Sequence, residues 1–337
     1  MKVLVTGGAG YIGSHTVLEL LGNTHDVLIV DDFSNSNPVV LDRMRQLSNR
    51  NFAFSEMNVL DGDRLKQSFL EFRPDAVIHF AGLKVITDSV ADPLNYYSSN
   101  MQGAFRLLEA MEASGCKQLV FSSTANIYGE PQYLPVDENH RIDPSSPYGR
   151  TKYFIEELMR DWAYANAGRH VISLRYFNPI GAHASGLIGE DSDDIPPNLM
   201  PYISQVAVGE LDELKVFGND YPTRDGTGVR DFIHVLDLAG AHVAALEKVA
   251  DIDGFDAINV GTGKGTSVLE LVAAFERVTG KTIPFSFAPR RPNDMPDVHA
   301  DVKKAQTVMG WKARFDIDQM CRDTWNWQSK NPKGFAS

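Results

Sequence analysis

The chain begins Met1-Lys2-Val-Leu-Val-Thr6-Gly7-Gly8-Ala9-Gly10-Tyr11-Ile12-Gly13. An apolar run of strand type meets glycines at positions 7, 10 and 13, and residues 14–21 continue with helical periodicity. Glycines at such a strand-to-helix turn let the backbone approach a pyrophosphate resting on the helix N-terminus. A second strand-like run, Val27-Leu-Ile-Val30, ends in Asp31-Asp32. An acid about 20 residues beyond the glycines suits the adenosine ribose hydroxyls. A carboxylate there repels a 2′-phosphate, and the nearest downstream cation is Arg43. The pattern therefore predicts dinucleotide binding, with NAD favoured over NADP.

Outward from this turn, strands and helices alternate. Further strands are expected at 52–54, 76–80, 118–121 and 170–174, and helices at 64–72, 94–113 and 148–165. Such alternation gives an α/β, Rossmann-type, doubly wound parallel sheet with ligands at the C-terminal strand ends. Three loops there carry small or polar residues: 80–84, 122–125 and 177–179. After Tyr176 the texture changes to Pro, Gly and Asp with short helices, and 257–260 reads as one more sheet strand. Two interleaved domains are expected: 1–176 plus 230–262, and a smaller α/β domain from 177–229 plus 263–337.

Length and composition fit an enzyme of this architecture. A chain of 337 residues is comfortable for two domains. Lys plus Arg is 32 against 44 for Asp plus Glu, a net charge of −12, which argues against nucleic acid or anionic membrane as a partner. Cys116 and Cys321 form no framework, favouring a reducing compartment. Met1-Lys2 leads straight into the first strand, and no apolar stretch approaches the ~18 residues needed to span a bilayer. A soluble cytoplasmic protein is expected.

Tyr148 and Lys152 stand four residues apart, after Ser146-Pro147. Ser suits a helix cap and Pro the first helical position, so both side chains share one face of a helix that begins there. Free Tyr titrates near ~10. A fixed cation stabilises the phenolate and makes it a usable general acid–base group near neutral pH. On its own, Tyr-x-x-x-Lys is ordinarily a solvated surface pair; the glycine turn changes its weight.

The glycine turn, Ser123-Thr124, Tyr148 and Lys152 together resemble the extended short-chain dehydrogenase/reductase family. Phe80-Ala-Gly-Leu-Lys84, Arg175-Tyr-Phe-Asn-Pro179, Asn198-Leu-Met-Pro-Tyr202, Phe217-Gly-Asn-Asp-Tyr-Pro222, Gly228-Val-Arg-Asp231 and Ala288-Pro-Arg-Arg291 extend the likeness to its sugar-nucleotide 4-epimerase branch, over almost the whole chain. The resemblance implies an isomerase that interconverts UDP-glucose and UDP-galactose through a 4-keto sugar and regenerates its NAD each cycle. It implies Tyr148 as the acid–base residue, Lys152 as its tuner and nicotinamide-ribose ligand, and Thr124 as a hydrogen-bond partner of the 4-oxygen. The cofactor would be held by Gly7, Gly10, Tyr11, Ile12 and Gly13; by Asp31, Asp32, Asn35 and Ser36; by Asn58 and Val59; by Phe80, Ala81, Gly82 and Lys84; and by Ser99 and Phe177 beside Tyr148 and Lys152. The smaller domain would hold the UDP-sugar through Asn178, Asn198, Leu199, Phe217, Arg230, Arg291, Asp294 and Val298, besides Thr124 and Tyr148. The amphipathic stretch from Tyr96 to Ala113 and the Tyr148 helix would form a homodimer contact.

The chain departs from the family pattern in places. Asn58 stands where an Asp usually receives the adenine amino group, Ser99 replaces a usual Asn, and Thr124 replaces a frequent Ser. Val298 occupies a position where a narrower-specificity relative has Tyr, which implies room for UDP-GlcNAc and UDP-GalNAc. Rival readings are a nucleotide-sugar 4,6-dehydratase, a decarboxylase, a net dehydrogenase and a non-catalytic NAD-binding sensor. A dehydratase needs further acids after the Thr, and Ala125-Asn126 lacks them. Asn198 alone reads as a helix cap, Arg291 as a surface Arg and Phe217 as core. Gly261-Thr-Gly-Lys-Gly-Thr266 lacks the Ser or Thr after Lys that a triphosphate loop requires, so it reads as a turn. The nine histidines show no metal-ligand spacing, so His79 and His234 are expected to make local hydrogen bonds and no metal is expected.

Overall fold

A computed structural model describes the chain except residues 192–195, 197, 292–293 and 337. Its strands are β1 (Lys2–Thr6), β2 (Asp26–Asp31), β3 (Ala53–Glu56), β4 (Ala76–His79), β5 (Gln118–Thr124), β6 (His170–Tyr176), β7 (Asn178–Ile180), β8 (Leu214–Phe217), β9 (Val229–His234), β10 (Gly254–Val260), β11 (Gly265–Ser267), β12 (Phe285–Ala288) and β13 (Asp297–Val298). Seven form one sheet in the order β10-β6-β5-β4-β1-β2-β3, and every pairing in it is parallel. This is the expected doubly wound sheet. The strand order reverses between β1 and β4, so a crevice opens at their C-terminal ends.

Residue alternation explains why the sheet is buried on both faces. Val3, Val5, Ile29, Ile78, Val120 and Ile172 point into one core cluster. Leu4, Leu28, Val30, Val77, Leu119 and Phe121 point into the other. Each such side chain contributes roughly 1.5–3 kcal/mol when fully buried. Helices cover both faces because parallel strands need crossovers. The Pro147–Ala165 helix starts as its sequence dictates: Ser146 Oγ accepts from Gly149 N at 3.1 Å, and Pro147 follows the cap.

Strands β5 and β6 run further than their apolar stretches, through Thr124 and Tyr176. Ladder pairing carries the polar ends along, from Ser122 opposite Leu174 to Thr124 opposite Tyr176. The smaller layer is built from β11-β9-β13 with β7 on β9, plus the separate pair β12-β8. Its core gathers Met200, Ile203, Leu214, Phe232, Leu271 and Phe275. The expected boundary at 230 falls inside β9, whose partners are all in this smaller sheet, whereas the helix after it, Val235–Lys248, packs on the Tyr11–Gly22 helix of the large layer.

Candidate functional site

The glycine turn lies at the sheet's reversal point. Gly7 has φ +69°, and a Cβ there would come to 2.7 Å from Ala81 N. A Cβ on Gly13 would come to 2.1 Å from Gly7 O. Gly10 differs: its Cβ would meet only Gly7 O, at 3.3 Å, and it faces a groove that Tyr11, Asn35, Ser36 and Lys84 also line. The outer glycines are thus required by the protein's own packing, and the middle one keeps the groove floor open.

Asp31 sits at the end of β2 with its Oδ2 accepting from Ala9 N at 2.9 Å. Its Oδ1 accepts from Phe33 N at 3.0 Å and Ser36 Oγ at 2.9 Å. Burial pushes this carboxyl above its ordinary range. Asp32 accepts from the Asn58 amide nitrogen at 2.6 Å, and Asn58 Oδ1 accepts from Leu60 N at 2.9 Å. The Asn58 oxygen therefore already serves the backbone and keeps one lone pair for a ligand. Ile12 and Val59 pack against the two cores from the groove side. Tyr11 donates to Gly181 O at 2.6 Å and so ties the turn to the chain beyond β7. Lys84, in the loop that follows β4 with Phe80, Ala81 and Gly82, lies 3.8 Å from Glu190. Ser99 Oγ donates to Asn95 within its own helix at 3.1 Å. Phe177 is buried just beyond β6. Backbone N–H groups at a helix start fit the pyrophosphate of a dinucleotide, and a carboxylate pair at the end of β2 fits its adenosine ribose.

Thr124, Tyr148 and Lys152 converge at the end of β5. Tyr148 is 7% exposed and Lys152 5%, so the pair is not the solvated surface pair that its spacing alone suggests. The Thr124 hydroxyl lies beside the Tyr148 phenol and lowers its pKa, and Thr124 Oγ1 accepts from Asn126 Nδ2 at 3.0 Å. Lys152 Nζ donates to Ser122 O at 2.9 Å and stands 4.9 Å from the Phe121 ring centroid. Burial pushes the Tyr148 phenol well above its ordinary value, and the Thr124 hydroxyl only partly offsets this. Burial takes the Lys152 ammonium down to about 8, with Glu156 pulling it back up. Both shifts have one cause: desolvation penalises the charged form of either group.

In the smaller layer the expected substrate residues form pairs. Arg291 stacks 4.2 Å over the Phe217 ring, and Arg230 is ion-paired to Asp294. Val298 is on β13, in register with Arg230. Asn198 occupies the cap position of the Leu199–Val208 helix without capping it; its amide donates to Glu190 at 3.2 Å instead. Asn178 opens β7 and is exposed. Glu156, fully buried, and Glu190, 3.8 Å from Lys84, went unrecognised in the sequence, and Arg175 was named there only within its 175–179 motif. Only the 148–152–156 spacing could have pointed to Glu156; nothing local marks Glu190.

The 261–264 stretch and the two histidines make local hydrogen bonds. Residues 261–264 are a turn whose Thr262 and Gly263 N–H groups donate to Asp231 at 2.8 and 2.9 Å. His79 bonds Thr6 Oγ1 at 2.6 Å and His234 meets Asp323 at 3.2 Å. No cluster of metal-ligating side chains occurs among the described residues.

Fold and site define an NAD-dependent enzyme of the extended short-chain dehydrogenase/reductase class. Residues 4–324 match the family described as GDP-mannose 4,6 dehydratase, which is of the same superfamily. The chain is 52% identical to the UDP-glucose 4-epimerase of Bacillus subtilis (strain 168), covering 100% of this chain and 99% of the other. The crystal structure of a UDP-glucose 4-epimerase from Stenotrophomonas maltophila with bound NAD and formylated UDP-arabinopyranose superposes with TM-score 0.97 at 49% identity, covering 98% and 99% of the two chains. That from Bifidobacterium longum in complex with NAD+ and UDP has TM-score 0.96 at 47% identity, covering 99% and 100%. The chain belongs to the UDP-glucose 4-epimerase family.

Proposed function

We infer that the enzyme interconverts UDP-glucose and UDP-galactose by reversible oxidation at carbon 4 of the sugar, with a 4-keto sugar as intermediate. The observation that carries this is the buried Thr124–Tyr148–Lys152 cluster at the end of β5, in a chain about half identical to named epimerases over its full length. NAD, when bound, supplies the two-electron acceptor for carbon 4 and a positive ring charge. Tyr148 takes the proton of the 4-hydroxyl and later returns one. Lys152 and the cationic ring offset the cost that burial sets on the phenolate. Thr124, beside Tyr148, aligns the 4-oxygen. Arg230 and Arg291 anchor the diphosphate, so the sugar can turn over while UDP stays bound. Asp294, ion-paired with Arg230, takes the ribose hydroxyls.

The test is to incubate the purified enzyme with UDP-galactose, with and without added NAD, and to separate the UDP-sugars. UDP-glucose should accumulate to a stable mixture with no net NADH. No conversion with NAD present would overturn the reading in favour of a dehydratase.

The same site supports acceptance of UDP-GlcNAc and UDP-GalNAc. Val298 packs against the cluster of Ile127, Tyr128, Val136 and Phe177, and its side chain is smaller than a Tyr at that position. Val298→Tyr should remove N-acetylhexosamine activity and spare hexose activity; equal loss of both would count against it. A homodimer is supported by apolar side chains on two neighbouring helices: Leu94 and Phe105 are 81% and 48% exposed, and Phe154 is 44% exposed beside Tyr97. Light scattering giving the mass of one chain would refute it. Among the described residues no helix is long and apolar enough to cross a membrane. Cys116 and Cys321 are both buried and unpaired, which supports a reducing, cytoplasmic location, testable by cell fractionation.

A further inference from the structure

One helical turn beyond Lys152 lies Glu156, with no solvent exposure. Tyr148, Lys152 and Glu156 are spaced i, i+4, i+8 and so share one helix face. Both Glu156 oxygens are fully engaged. Oε1 accepts from Ser123 Oγ at 2.6 Å, Ser173 Oγ at 2.8 Å and Arg175 Nε at 3.1 Å, and Oε2 accepts from Arg175 Nη2 at 2.6 Å. Ser123 immediately precedes Thr124, and Lys152 itself grips Ser122 O. The helix therefore holds the end of β5 at two points, a cation on the Ser122 carbonyl and a carboxylate on the Ser123 hydroxyl.

The network continues past Arg175. Its Nη1 donates to Tyr128 OH at 3.0 Å, and Tyr128 donates to Asn259 Oδ1 at 2.7 Å. The Asn259 amide donates to Val136 O at 2.9 Å, and Val136 N donates to His299 O at 2.9 Å. His299 adjoins Val298. A continuous hydrogen-bonded path thus joins the helix of the acid–base residue to the strand expected beside the sugar.

We propose that Glu156, paired with Arg175, is a positioning residue for the epimerase reaction: it clamps the Thr124 end of β5 to the Tyr148–Lys152 helix face and sets a fixed negative charge one turn beneath Lys152. The proposal rests on the functional reading above. A buried carboxylate with four charge-assisted or hydroxyl donors is expensive to build for packing alone, since apolar residues of similar volume often serve as well. Its charge has a target. Burial drives the Lys152 ammonium toward neutrality, and Glu156 opposes this. The other groups around the pair do not compete: burial keeps His79 neutral, at about 3, and pushes Tyr148 and Tyr176 up, Tyr176 to about 12. Arg175 is itself neutralised by Glu156. Losing Glu156 would leave Lys152 less protonated and Arg175 as an unpaired cation nearby, and both effects act in the same direction.

The experiment is Glu156→Gln in NAD-loaded enzyme. The kcat and KM for UDP-galactose are measured across pH, and Lys152 is titrated by NMR in lysine-labelled protein. The expected result is a fall in kcat of about tenfold or more near pH 8, KM changed by less than about threefold, and the alkaline limb and the Lys152 titration both moved down by about one pH unit. Glu156→Asp should keep the alkaline limb near its parent position while lowering kcat. If Glu156→Gln fails to fold, Glu156→Leu with Arg175→Met removes the pair without stranding a buried charge and should move the limb the same way. A folded variant whose Lys152 titration and alkaline limb are unmoved overturns the proposal, whatever its kcat. A parent enzyme that converts no UDP-galactose overturns the functional reading instead, and the NMR titration still decides the proposal.

Discussion

The groove proposed for the cofactor and the region proposed for the sugar nucleotide are built by opposite means. The groove is made largely of backbone: glycines with no room for a Cβ, a helix start, and β-strand ends in one continuous sheet. The pocket is made of side chains on short elements that pair across the chain, such as Arg230 with Asp294 and Arg291 with Phe217. Backbone sites fail abruptly because sterics are all-or-none, whereas side-chain sites lose affinity one contact at a time.

Tyr148 stands where the two regions meet, and its removal should have the largest effect. Tyr148→Phe is expected to lower kcat by about 10²–10⁴-fold while UDP affinity by calorimetry stays near the parent value. A loss of UDP affinity equal to the loss of rate would show that Tyr148 belongs to the pocket and not to the chemistry.

Gly13→Ala tests the abrupt failure. Its Cβ would lie 2.1 Å from Gly7 O, so the turn must shift. A stability loss of about 2–4 kcal/mol in thermal unfolding, with no NAD retained through purification, is expected. Gly10→Ala sharpens the contrast, since its Cβ has only the 3.3 Å contact to Gly7 O. That variant should keep the parent melting temperature within a few degrees yet bind NAD weakly. Equal melting losses in both variants would contradict a division of labour among the glycines.

A graded response is expected from Arg291→Ala. It should raise KM for UDP-galactose about tenfold, near the 1.4 kcal/mol of one charge-assisted contact, and change kcat little. An abrupt loss of all binding would make the pocket as brittle as the groove.

The smallest effect expected is at Asn58. Asn58→Asp sets a carboxylate against Asp32 in place of a 2.6 Å donor, at an exposed position where repulsion is screened. NAD affinity should fall by less than about tenfold, more at low salt than at high. No salt dependence would mean that the amide bond matters for shape and not for charge.

Much of the groove was legible because its determinants are local. A glycine at a strand-to-helix turn, an acid ending the next strand and Ser-Pro opening a helix each declare themselves within a few residues. Strand limits were less legible: the polar ends of β5 and β6 are carried into the ladder by their neighbours. The pocket residues were reached through family resemblance, since neither Arg291 nor Asn198 carries any local mark. Asn198 shows the limit best. Its position is that of a helix cap, and its side chain turns to Glu190 instead.

By itself the sequence determined the parallel sheet, the glycine turn and the Tyr148–Lys152 face, because hydrophobic period, glycine placement and capping act over one or two turns of chain. Only the tertiary structure decided how those groups ionise and what restrains them. Burial raises Tyr148 and lowers Lys152, and Glu156 meets Arg175 across a helix and a strand 19 residues apart. Desolvation and long-range pairing depend on which atoms exclude water from a point in space, and that is known only once the chain has closed around it.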